Sequence, residues 1–211
     1  MKIIETNGIT YLELLEENSE WYFGTDYSCG DLYEAEEAYK EKGMVKANRL
    51  IFVHRPDGKL VEPLKLSENQ YFGRPAQIDG NIYILLVDFG KQNIQVLDCG
   101  GEFQKITLYV ELPLSEVKDC YNLFLKGRPL MITRQGAEND FEVIWPEKVS
   151  YEIGDTEAFL FRKDEKWVFS KWEEEPDYRE EVVFRNKSGV ITETIQGGSF
   201  LLPTGETWIL Q

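Results

Sequence analysis

An all-β fold built from repeated four-stranded sheets is predicted by three observations on this 211-residue chain. Apolar runs pair across turn formers five times. Four of those pairs are followed by a second pair of short, β-rich runs. The pairs recur at roughly 40-residue intervals, the mark of a radially repeated sheet.

In chain order, Tyr11-Leu12 turns at Asn18-Ser19 into Trp21-Tyr22-Phe23, and Arg49 to His54 turns at Pro56-Asp57-Gly58 into Lys59 to Leu64. The second module pairs Ala76-Gln77-Ile78 with Tyr83-Ile84-Leu85 across Asp79-Gly80. It continues through Asn93 to Leu97 and Cys99-Gly100-Gly101 into Phe103 to Leu112. The third sets Leu123-Phe124-Leu125 against Leu130-Met131-Ile132 across Gly127-Arg128-Pro129, then Phe141 to Trp145 against Val149 to Ile153 across Pro146. The fourth runs Phe159 to Phe161, Asp164, Trp167 to Phe169, then Glu181 to Phe184, Asn186 to Gly189 and Val190 to Ile195. The fifth holds only Phe200 to Leu202 and Trp208 to Leu210, about Thr204-Gly205. Pro-Asp-Gly and Gly-Gly provide the backbone angles of tight hairpins, and the flanking Val, Ile, Thr and aromatics suit strands.

The spacing of lead residues exposes one insertion. Trp21 to Tyr83 spans 62 residues, against 47, 37 and 41 for the later intervals. Within the surplus, residues 27–48, Asp31 and Glu34 form a capping box and Gly43 a stop, which predicts a helix over 31–42. Leu32, Ala35 and Tyr39 share one face of it. The N-terminal stretch, Lys2 to Leu12, reads like Val190 to Leu201, so residues 2–6 are expected to form an outer strand completing the last module.

Four strands per module at about 42 residues (211/5) resemble a five-bladed β-propeller across the whole chain. The blades fall at about 7–66, 67–115, 116–154, 155–196 and 197–211, the last closed by 1–6, in a single domain. The resemblance is to an architecture: no Trp-Asp or kelch signature is present.

Composition narrows function by exclusion. Lys and Arg number 23 and Asp and Glu 38, a net charge of −15. That field repels phosphate backbones and anionic lipid, so neither nucleic acid nor membrane is an expected partner. Cys29, Cys99 and Cys120 are odd in number and widely spaced, which suits reduced thiols in a cytoplasmic protein. His54 is the sole histidine, and it closes a strand before a turn, away from the helix. No metal site, cofactor fingerprint or nucleophile–base pair emerges, and no cofactor or catalytic residue is expected.

The remaining expectation is a non-catalytic module that binds a small molecule, peptide or protein on the propeller face covered by the helix. Strand-end counting places Asp26, Asp88, Gln135 and Trp172 there. Arg74, on the connection Gly73-Arg74-Pro75, and Arg134 fall on the same side. Each has a structural alternative: turn closure for the aspartates, ion pairing for Arg74, packing for Trp172. The aromatic leads Trp21, Tyr83, Trp167 and Trp208 are expected in the core. Two other readings stand beside binding. One is a glycoside hydrolase, implied by the propeller resemblance, using Asp26 and Asp88 as paired carboxylates. The other is a structural assembly component.

Overall fold

The computed structural model describes residues 1–15, 19–202 and 206–211, the side chain of Leu201 aside. The turns expected at Asn18 and at Thr204-Gly205 lie outside the described residues. The chain forms two compact units, Met1–Leu125 and Lys126–Gln211. The fold is all-β with one helix, assembled from β-propeller-type blades. Among the described residues it has four of them, not five, and a two-stranded sheet.

In the first unit, one sheet runs β1 (Glu13–Leu14), β2 (Trp21–Thr25), β3 (Leu50–His54), β4 (Leu60–Val61), with helix α1 (Leu32–Lys42) inserted between β2 and β3. The second sheet contains β5 (Gln70–Phe72), β6 (Ala76–Ile78), β7 (Asn81–Asp88), β8 (Asn93–Asp98) and β9 (Thr107–Pro113). Both β5 and β6 pair with β7. The strand pairings are antiparallel, and apart from β5 with β7 they join chain neighbours, which short turns permit. Side chains one residue apart point to opposite faces, so Trp21 and Phe23, Leu50 and Phe52, and Ile82, Ile84 and Leu86 converge in one core. Each fully buried side chain of this size contributes roughly 1.5–3 kcal/mol.

Strand β10 (Phe124–Lys126) carries the chain from one unit into the next and heads a sheet continued by β11 (Met131–Gln135), β12 (Asp140–Trp145) and β13 (Val149–Glu152). The fourth sheet is β14 (Glu157–Lys163), β15 (Lys166–Glu173), β16 (Arg179–Arg185) and β17 (Ile191–Gln196). Its first hairpin turns at Asp164, at φ 54°, a left-handed angle that aspartate tolerates better than most residues. Phe141, Phe159, Trp167 and Phe169 pack together in the second unit's core. The last pair, β18 (Gly198–Leu201) and β19 (Thr207–Leu210), forms a sheet of two strands.

Two expectations are corrected. Residues 2–6 form no strand. Instead Lys2 Nζ donates to the carbonyls of Pro56 and Asp57, so the N-terminus lies on the β3–β4 turn of the first sheet. Trp208 is no core residue: it is 49% exposed, because the two-stranded sheet turns it outward with Phe200 and Leu210. Trp21, Tyr83 and Trp167 are buried. No helix among the described residues is long and apolar enough to cross a membrane.

Candidate functional site

The first unit holds a cleft of about 120 Å³ where the insertion meets the second sheet. Its construction begins at the neck of the insertion. The Asp26 N–H donates to the Arg49 carbonyl (3.3 Å), and the Arg49 N–H donates to Asp26 Oδ1 (3.0 Å). Between these clasped ends the chain makes a turn, Tyr27 to Gly30, and then enters α1. Tyr27 sits at φ 43°, a left-handed conformation that costs a bulky L-residue about 1–2 kcal/mol. Tyr71 of β5 holds the turn in place: its phenol donates to the Gly30 carbonyl (2.6 Å) and accepts from the Cys29 N–H (3.2 Å). Burial pushes the Tyr71 hydroxyl up to about 12, so it stays a donor at neutral pH.

Helix α1 is fixed at both ends. Asp31 Oδ1 accepts from the N–H groups of Tyr33 and Glu34, and Glu34 returns a bond to the Asp31 N–H, the capping box the sequence predicts. Gly43 ends it at φ 70°. The face of Leu32 and Ala35 is buried, and Tyr39 stacks on Phe89 with centroids 5.5 Å apart. Glu36, also buried, accepts from the Cys120 N–H (2.7 Å) and so binds the helix to the segment before β10. The exit of the insertion is held by Asn48, whose amide bonds both the N–H and the carbonyl of Phe72 (2.7 and 3.0 Å).

Arg74 reaches the cleft through a bulge. Phe72 pairs with Leu86 and Ala76 with Tyr83, so Gly73, Arg74 and Pro75 oppose only Ile84 and Leu85. One extra residue re-aims the strand. Gly73 makes room there: a Cβ would stand 2.6 Å from Leu32 Cδ1 and 2.8 Å from Leu85 Cδ2 and would have to displace both leucines. The sequence expectation put Arg74 on a connection between modules; it lies instead inside the interrupted inner strand. Its guanidinium stands 5.3 Å from the Phe23 ring centroid, and Nη2 meets Glu13 at 2.6 Å. Its side chain remains half exposed.

The cleft is walled by Phe23, Tyr27, Phe72 and Phe124, with Arg74 at its side and the first turn of α1 at its end. Asp31 is the one carboxylate in the lining, and its Oδ1 is engaged in capping. Burial, with the nearby Glu36 carboxylate, pushes the Cys120 thiol far above its ordinary range. Thr25 Oγ1 is buried without a hydrogen-bond partner. The arrangement can recognise a guest by stacking and by one cation. Among the described residues its lining holds one carboxylate, Asp31, and no histidine or lysine.

Of the six residues expected from sequence to bind a ligand, Arg74 alone lines the cleft. Asp26 stands at the neck, in backbone bonds to Ser28 and Arg49. Asp88 is buried and accepts from Gln70 Nε2 (2.8 Å) and the Lys91 N–H (2.9 Å). In the second unit, Arg134 is 1% exposed and paired with Asp140 and Glu142. Gln135 links β11 to β14 through the Glu157 carbonyl (2.7 Å) and the Phe159 N–H (3.2 Å). Trp172 projects from β15, 43% exposed. The second unit also has a groove of about 490 Å³ lined by Phe161, Val168, Phe184 and Ile209. Its Lys163 and Lys166 are matched by Asp164 and Glu165 in the same lining. The cleft residues Phe23, Thr25, Tyr27, Asn48 and Tyr71 were not foreseen as a site. Only the Gly-Arg-Pro interruption between two apolar runs signalled it.

No protein-family model matches the chain, and no curated protein does. Among solved structures, it is similar to the crystal structure of an exo-β-1,3-galactanase from Phanerochaete chrysosporium with β-1,3-galactotriose. The identity is 9% and the TM-score 0.39, over 86% of this chain and 48% of that one. The chain therefore spans about half the length of that neighbour.

Proposed function

We propose that this protein is a non-catalytic binding module whose guest, a small molecule or a short segment of a peptide or protein, seats in the cleft beside Arg74. One observation carries the reading: the cleft combines a half-exposed guanidinium with four aromatic walls, while the capping box engages its lone carboxylate. Concave apolar sites with a few polar groups are where ligands bind. The Tyr27 conformation supports it further, since strained backbone persists where surrounding structure over-determines it and gathers at functional positions. Glycoside hydrolysis draws less support. It needs two carboxylates flanking one substrate, and Asp26 and Asp88 are both committed to turn and neck hydrogen bonds. The acidic charge makes nucleic acid and anionic membranes poor partners in this reading.

A fragment and short-peptide screen on isotope-labelled protein tests it. Saturable shifts concentrated at Phe23, Tyr27, Arg74 and Phe124 are expected. Hits scattered over the surface, with those four residues silent, would refute the proposal.

A further inference from the structure

We infer that the guest of this cleft is a small aromatic monocarboxylate, its carboxylate gripped by Arg74 and its ring held among Phe23, Tyr27 and Phe124. The inference rests on the binding reading above and narrows it to a ligand class.

Three observations converge. The first is size: a cavity of about 150 Å³ accommodates benzene, and this one holds about 120 Å³ and is open to solvent along one side. It takes one ring and a short substituent, not a chain of rings. The second is the state of Arg74. Among the described residues Glu13 engages it through Nη2 alone, which carries two hydrogens, so one two-pronged edge, made of the second Nη2 hydrogen and that of Nη1 or Nε, is left for a guest. A guanidinium presents its donors as a planar fork that fits a carboxylate through two parallel bonds. The guanidinium carbon stands 5.3 Å from the Phe23 ring centroid, which holds the fork beside an aromatic wall of the cleft. The third is charge. Glu13 already offsets part of the Arg74 charge, Asp31 adds another carboxylate, and the whole chain carries −15. A dianion such as a phosphate monoester meets that repulsion twice for one cation, whereas a monocarboxylate meets it once.

Benzoate is the probe, with benzamide as its neutral, nearly isosteric control. In an NMR titration of labelled full-length protein, benzoate should shift Phe23, Tyr27 and Phe124 resonances saturably. Benzamide should bind about tenfold more weakly or not at all, the margin expected for loss of a charge-assisted pair. Arg74→Gln keeps the stem over Phe23 and should weaken benzoate about tenfold while leaving benzamide unchanged. Arg74→Lys, which keeps charge and loses the fork, should fall between. Equal affinity for benzoate and benzamide, or undiminished benzoate binding by Arg74→Gln, overturns the carboxylate assignment. In that outcome, neutral rings bound at the same residues still support the cleft as a binding site. Silence of the cleft toward both probes and toward the fragment screen removes both readings. Should Arg74→Gln fail to fold, the contrast between the two probes on the unmodified protein decides alone.

Discussion

The first two sheets turn the same corner in different ways. At the end of β7 the chain reverses tightly, and the buried Asp88 carboxylate closes the turn by accepting from Lys91 and Gln70. At the end of β2 the equivalent Asp26 clasps Arg49 instead, and everything from Tyr27 to Asn48 is pushed out as a turn, a helix and an irregular return segment. In both corners the strand-end carboxylate is occupied with backbone. The difference lies in what the longer connection encloses, a cleft that neither strand-end aspartate lines. The walls of the cleft therefore come from inserted chain and a bulged neighbour, and strand-end position alone is a poor guide to them.

The largest expected effect breaks the return of the insertion. Asn48→Ala strips hydrogen bonds from two buried backbone groups of Phe72, at about 1–3 kcal/mol each. Chemical denaturation should register a loss of about 2–4 kcal/mol; a change under about 0.5 kcal/mol would show the insertion to be held by something else.

Tyr71 sharpens the comparison through pH. Its folded-state value, about 12, lies above the ordinary value near 10. The contribution of the protonated phenol is thus complete below about pH 10 and is lost as pH rises through about 12. The span amounts to about 2–3 kcal/mol. Tyr71→Phe should lose about 1 kcal/mol at neutral pH and show a shallower alkaline decline than the parent. Parallel alkaline profiles for the two proteins would contradict the clamp. Cys99, pushed up to about 12 by burial, declines over overlapping pH in both proteins and cancels in the difference.

At the tight corner, Asp88→Ala should cost about 1–2 kcal/mol, since Gln70 and the Lys91 N–H lose their acceptor. Cleft resonances should not move. Coupled changes at Phe23 and Tyr27 would mean that the two corners are not independent. The smallest effect belongs to Arg74→Gln: a half-exposed ion pair with Glu13 is worth about 0–0.5 kcal/mol of stability. A loss of several kcal/mol would recast Arg74 as structural.

Local signals in the sequence carried much of this fold. Asp31, Glu34 and Gly43 bracket the helix because capping is a short-range interaction that leaves a fixed spacing. Alternation marks β8 and β12, where one face is more buried than the other, and a continuous apolar run marks β3, which is buried on both faces. What stayed hidden depends on contacts distant along the chain. The likeness of residues 2–6 to the strand after Gly189 says nothing of which neighbour they meet, and Lys2 finds the Pro56-Asp57 carbonyls. Pro75 marks an interruption, but whether the chain leaves the sheet or bulges within it is settled by pairing of both flanks with β7. Tyr27 bears no mark of its left-handed angle, since Gly30 and Tyr71 impose it. The cleft was thus legible in one residue, Arg74, and its walls were not.

The most direct test is crystallographic soaking with a library of small ring-bearing fragments at low ionic strength. The account predicts density stacked among Phe23, Tyr27 and Phe124, with an acceptor on the free edge of the Arg74 guanidinium. Fragments collected in the groove by Phe161 and Ile209, with the Arg74 cleft empty in every dataset, would contradict it.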